Sequence, residues 1–189
     1  MSEERSNLVP IVILSELALA VLALIWGHFR DLHIELGLNL RSVIIGIIAT
    51  IFPLSVNFVL FGRAADIAAP LKQFSTFRDD IASPLVTGLG GQQTLLISVL
   101  AGLGEELLFR GVLHIEVGIH LSVLLFAILH FGPEIRRFYW VFLVYIAFGY
   151  YFAALLMVSG GLLAPMVCHT LYDYLAIRWL ERRNQLPTS

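Results

Sequence analysis

Apolar positions gather into long runs separated by short polar breaks. Leu8 to Phe29, Ser42 to Phe61, Thr94 to Leu113, Phe138 to Val158 and Leu162 to Leu180 each approach the ~20 residues that a helix needs to cross a bilayer. A sixth run, Ile119 to Phe131, is short. Between the second and third runs, Gly62 to Gln93 holds Pro70, Pro84, Gly88, Gly90 and Gly91 among scattered charges, which reads as an interfacial loop with one amphipathic helix. No internal repeat or low-complexity segment interrupts this plan. The pattern predicts an all-α fold, a polytopic transmembrane bundle of about six membrane-crossing helices, one of them short. Residues 1–189 read as a single integral membrane domain.

Composition agrees. Hydrophobic residues make up 58% of the chain and charged residues 14%, against roughly 25% charged in an ordinary soluble domain. A water-soluble fold of this size would lack the polar surface to cover itself. The net charge is −2 and no basic tract carries interleaved aromatics, so nucleic acid is excluded as a partner. Ala18-Leu19-Ala20 resembles a signal-peptide cleavage site, but the preceding segment is acidic and the apolar run continues well past it, as in a retained helix. With about six crossings, Arg5, Arg63, Lys72, Arg78, Arg136, Arg137, Arg178, Arg182 and Arg183 fall on one side, against Arg30 and Arg41 on the other. The positive-inside rule then predicts a multi-pass cell-membrane protein with both termini in the cytoplasm.

Charge inside the runs carries the chemistry. Gly104-Glu105-Glu106-Leu107-Leu108-Phe109-Arg110 places two carboxylates and a guanidinium in the third run, where each charge is expensive to bury and usually functional. Glu106 and Arg110 have the spacing of an ion pair on one helical face. Glu105 points about 100° away from Glu106, free to face a substrate. Downstream lie Phe126 to His130 in the short run, and His169 and Asp173 four residues apart in the last. A lone His near a helix end is most often a hydrogen-bonded interfacial residue; two polar groups on one face inside a crossing make a stronger case. The bland reading of the Glu, Glu and Arg is a buried triad that fixes helix packing.

Depth brings these signals together. At ~1.5 Å per residue, Glu105 lies ~16 Å below the cytoplasmic face, His169 ~19 Å, Asp173 ~14 Å and His130 ~13 Å. Phe131-Gly132-Pro133-Glu134 must then climb through the cytoplasmic half without regular helix, which is tolerated only beside protein or water. A water-filled cavity open to the cytoplasm follows. Gly102 and Gly104 would let a neighbouring helix approach closely. A Glu and a His in such a cavity can deprotonate a water while a second His or its neighbour stabilises an oxyanion, the parts needed to hydrolyse a peptide bond. Cys168, the lone cysteine, points about 100° from His169 and reads as a small buried thiol.

In order, and on hydrophobic helices, these signals resemble the CPBP intramembrane proteases, which include the type II CAAX prenyl endopeptidases and the Abi or bacteriocin-immunity-like proteins. Glu105-Glu106-Leu-Leu-Phe-Arg110 is similar to the family's E-E-x-x-x-R, Phe126 to His130 to its F-x-x-x-H, and His169 to Asp173 to its H-x-x-x-N/D, over a core of about residues 95–180. The resemblance implies Glu105 and His130 as the water-activating pair, with His169 and Asp173 supporting the oxyanion and Glu106, Arg110 and Phe126 as structural support. It implies no cofactor or bound metal, and a peptide or protein substrate that is membrane-associated or prenylated. Asp173 stands where the prenyl endopeptidases have Asn, and an ionised carboxylate cannot donate to an oxyanion. The alternatives are a non-catalytic membrane scaffold or immunity-type protein, and a zinc-dependent membrane protease in which Glu105, His130, His169 and Asp173 supply ligands.

Overall fold

A computed structural model describes residues 2–62 and 71–185. Arg63 and Pro70, which entered the orientation and loop readings, lie outside them. The described residues are helical with no strand. Helix α1 (Ser2–Phe29) leads to α2 (Leu40–Ala49) and α3 (Ile51–Phe61), followed by a short α4 (Lys72–Phe77), a π-helical turn (Arg78–Ala82) and α5 (Ser83–Val86). Next, α6 (Gly91–Glu105) runs without interruption into a π-helical stretch (Glu106–Leu113) and α7 (His114–Phe131). A 3₁₀ turn (Gly132–Arg136), α8 (Tyr139–Ser159) and α9 (Leu163–Gln185) complete the chain.

Four of these segments are long and apolar enough to cross a membrane: Val9–Phe29, Leu40–Phe61, Gly91–Arg136 and Tyr139–Ser159. Val9–Phe29 has a mean hydropathy of 2.4 with only 11% of its most apolar stretch buried inside the protein, so its Leu and Ile side chains need lipid rather than water around them. Meanwhile Ser42, Thr94, Ser98, Glu105, Glu106, Arg110 and His169 are buried. This polar interior and apolar exterior identify a multi-pass membrane protein. Helix α9 falls outside the four, because His169 and Asp173 interrupt its apolar run and Arg178, Glu181, Arg182 and Arg183 charge its last turns. The 46 residues of Gly91–Arg136 form two arms, not one rod. At Gly118 the backbone turns to φ 81°, ψ 166°, a region open to Gly and strained for other residues. The short sixth run is the returning arm.

Local chemistry explains the other break. Pro53 has no N–H and its ring clashes with the carbonyl four residues back, which is Ala49, the last residue of α2. Tyr151 of α8 donates its hydroxyl to that carbonyl at 2.7 Å, so one packing contact also satisfies the orphaned acceptor.

Helix α6 lies between α1 and α9, and its glycines set the distance. A Cβ on Gly104 would sit 2.6 Å from the Glu16 carbonyl oxygen of α1, and one on Gly102 would collide with Thr170 Oγ1 of α9. The expected close approach at Gly102 and Gly104 therefore occurs, on opposite flanks. The returning arm α7 packs against both the π stretch and α8. Beyond His130, the climb expected to lack regular helix is a single 3₁₀ turn. Pro133 cannot continue an α-helical ladder but is accommodated in the first turn of a new helix.

Candidate active site

The hairpin around Gly118 folds α7 back onto the π stretch and the end of α6. Ser122 donates to the Phe109 carbonyl at 2.6 Å, the rings of Phe109 and Phe126 meet edge to face at 5.2 Å, and His130 Nε2 lies 3.5 Å from Glu105 Oε1. From the other flank, α9 presents His169. Its Nδ1 is 2.9 Å from Glu106 Oε1, while its Nε2 is 3.8 Å from Glu105 Oε2 and 3.4 Å from Asp173 Oδ2. Glu105, His130, His169 and Asp173 thus converge from three helical segments and line one cavity of about 190 Å³.

The ring nitrogens are not equivalent. A backbone carbonyl only accepts, so His130 donates Nδ1–H to the Phe126 carbonyl at 2.8 Å. In the neutral ring this leaves the Nε2 lone pair facing the Glu105 carboxylate. With His130 neutral, two acceptors confront each other at the cavity wall. Likewise Nδ1–H of His169 is committed to Glu106, so His169 can donate into the cavity only with both nitrogens protonated.

Glu106 and Arg110 form the expected pair, Nη1 to Oε1 at 3.0 Å, with both side chains almost wholly buried. Arg110 also donates to the Gly149 carbonyl at 3.4 Å and lies over the Phe126 ring, 4.5 Å from its centroid. Phe126 is thus a floor for the guanidinium as well as a neighbour of His130, whose ring is 4.5 Å away. The 100° spacing of Glu105 and Glu106 assumed α geometry, whereas the backbone is π-helical from Glu106 onward. That wider turn is common at functional positions. The two carboxylates nevertheless diverge, Glu106 to Arg110 and Glu105 to the cavity. Cys168 is fully buried outside the cavity lining.

Three residues escape sequence patterning. Tyr145 lines the cavity and packs its ring 5.1 Å from His130. Phe152 stacks on His169 at 5.0 Å and 19°. With Phe148 they lie three and four residues apart on one face of α8, a spacing hidden because every position in that helix before Ser159 is apolar or aromatic. The third is Glu16, an acid inside an apolar run with the buried Ala20 and Ala23 at i+4 and i+7. Its charged neighbours are Glu105, His169, Asp173 and His130.

Residues 91–175 match the family model described as Type II CAAX prenyl endopeptidase Rce1-like. The likeness spans 85 of the 189 residues, from α6 into α9. This bears out, for that segment, the resemblance to the CPBP proteases. No curated protein and no solved structure matches the chain. The Rce1-like segment starts at the first residue of α6 and ends just past Asp173. It contains all four cavity residues singled out above and excludes α1 to α5.

Proposed function

We propose that this protein is a glutamate-dependent intramembrane endopeptidase. The observation that carries the reading is the approach of Glu105 Oε1 to His130 Nε2, 3.5 Å apart. A water beside them can donate one hydrogen to each and turn an oxygen lone pair toward the cavity, the orientation of a nucleophile. Its oxygen attacks the peptide carbonyl while its proton passes to Glu105; when the C–N bond breaks, that proton goes to the departing nitrogen. His169, doubly protonated, donates Nε2–H to the oxyanion, and Asp173 orients it or, as the neutral acid, donates alongside it. A metal-held water would need three such side chains at ligand spacing. Among the described residues no group of three His, Cys, Asp or Glu is so placed.

A second cavity of about 300 Å³ shares His130, Tyr145 and Asp173 with the first and continues between apolar walls that include Phe61, Phe77 and Trp179. An isoprenoid or an apolar peptide segment fits that lining, which supports a membrane-associated, prenylated substrate. The walls belong to the end of the bundle that carries Arg78, Arg136, Arg137 and Arg178, and in our reading this end, with both termini, is cytoplasmic.

Protein purified into liposomes should cleave a farnesylated CAAX-type peptide faster than its unprenylated counterpart, read by mass spectrometry of the released tripeptide. Hydrolysis of neither, nor of any other membrane peptide, by well-folded protein would favour the scaffold reading.

Asp173 separates the mechanisms. Asn is nearly isosteric and keeps both an acceptor for an imidazole N–H and a donor for an oxyanion. Asp173→Asn should retain activity within about tenfold, and Asp173→Leu should lose about a hundredfold or more. Wild-type activity should also survive exhaustive chelation. Loss in Asp173→Asn and in chelated wild type, restored to the latter by zinc, would establish the metal reading instead.

A further inference from the structure

Helix α1 lies outside the Rce1-like segment, yet it packs directly on the residue before Glu105, where Gly104 meets the Glu16 backbone. On these two helices two carboxylate oxygens are buried without a hydrogen-bond partner, Glu16 Oε2 and Glu105 Oε2, and Glu105 is among the charged neighbours of Glu16. Ionised carboxylates are acceptors only, so two neighbouring ones repel each other and leave both buried oxygens unsatisfied. One hydrogen between them removes both costs: the O–H of one acid donates to the oxygen of the other. The charged groups facing Glu16 are Glu105 from α6, His130 from α7, and His169 and Asp173 from α9. Of these only Glu105 has an orphaned oxygen.

We propose that Glu16 is a further positioning residue of the site, sharing one proton with Glu105 across the contact of α1 and α6. The proton rests on Glu16, so Glu105 remains the anion. Its Oε2 is held by the Glu16 hydroxyl, and its Oε1 is therefore aimed at His130. Glu16 does not touch the reacting atoms; it acts through the carboxylate that does, and this role rests on the hydrolytic reading of Glu105. The dependence on pH has a definite sign. The device is intact while the shared proton is present and is lost as rising pH removes it.

Two measurements on the full-length protein test the proposal. Infrared difference spectra of substrate-free protein at neutral pH should show a protonated-carboxyl band that disappears in Glu16→Gln and shifts in Glu105→Gln. Absence of the band from wild type, or its persistence unchanged in Glu16→Gln, overturns the shared proton. Because no substrate is involved, this holds even if Glu105→Gln cleaves as well as wild type, an outcome that would remove the hydrolytic reading alone. In turnover, Glu16→Leu should lower kcat by about 10- to 100-fold with KM unchanged, the cost of a misaimed base. Glu16→Gln, whose amide N–H supplies the hydrogen permanently, should restore kcat and abolish the wild-type loss at alkaline pH. Wild-type kcat in Glu16→Leu, or equal inactivity of Leu and Gln, overturns the positioning role.

Discussion

Glu105→Gln is expected to lower kcat by about 10² to 10⁴-fold, the usual contribution of a positioned general base, while the protein accumulates in membranes at the wild-type level. The substitution keeps volume and shape at a position only 7% exposed, so packing against α1 and α9 is undisturbed. What it removes is the ability to take a proton from the water held against His130 Nε2. KM should stay within about threefold, because the lost interaction belongs to the chemical step rather than to substrate binding. Cleavage and membrane abundance must be read from the same preparation. A variant that still cleaves within tenfold of wild type would remove Glu105 from the role of base and favour a recognition role, in which a neutral isostere is well tolerated.

Much of this arrangement was legible in the sequence because membrane burial makes charge conspicuous. Glu105, Glu106, Arg110, His169 and Asp173 stand out in apolar runs at the spacing of one helical turn, and the structure brings them together with His130. Helix lengths were legible for the same reason, since an apolar run must match the bilayer. The breaks were less so. Pro53 ends α2 through its steric effect on Ala49, and Gly118 turns one long apolar stretch into a hairpin, but neither residue announces whether a helix bends or continues. The π-helical backbone from Glu106 to Leu113 has no sequence period to betray it. Tyr145 and Phe152 were hidden by uniform hydrophobicity, since a face lining a cavity and a face lining lipid look alike in α8. Glu16 was visible as an intramembrane acid, yet only tertiary contact through Gly104 ties it to residues about ninety positions away.

Arg110→Leu is expected to fail differently, with little folded protein rather than folded but inactive protein. The Arg110 side chain is buried against a Glu106 that is wholly inaccessible, and the pair is linked at 3.0 Å. Removing the guanidinium leaves Glu106 with only His169 Nδ1 as a charged or hydrogen-bonding partner, and its Oε2 already lacks any. Breaking one side of such a pair typically costs about 3–5 kcal/mol, a large fraction of the marginal stability of a folded domain. Two further contacts go with it, the donation to the Gly149 carbonyl and the cation–π contact with Phe126, and these join the π stretch to α8 and α7. Leu fills part of the volume but supplies none of this. Detergent-solubilised Arg110→Leu should therefore show a marked drop in thermal midpoint and in membrane abundance, whatever its residual activity. The double variant Arg110→Leu with Glu106→Leu supplies the control. If the cost is an uncompensated charge, removing Glu106 as well restores accumulation, because an apolar pair of similar volume can replace a buried ion pair with little loss. Wild-type abundance and thermal midpoint in the single variant would instead mean that Glu106 finds a partner or a proton without Arg110, and would move the pair from structural support to the chemistry of the site.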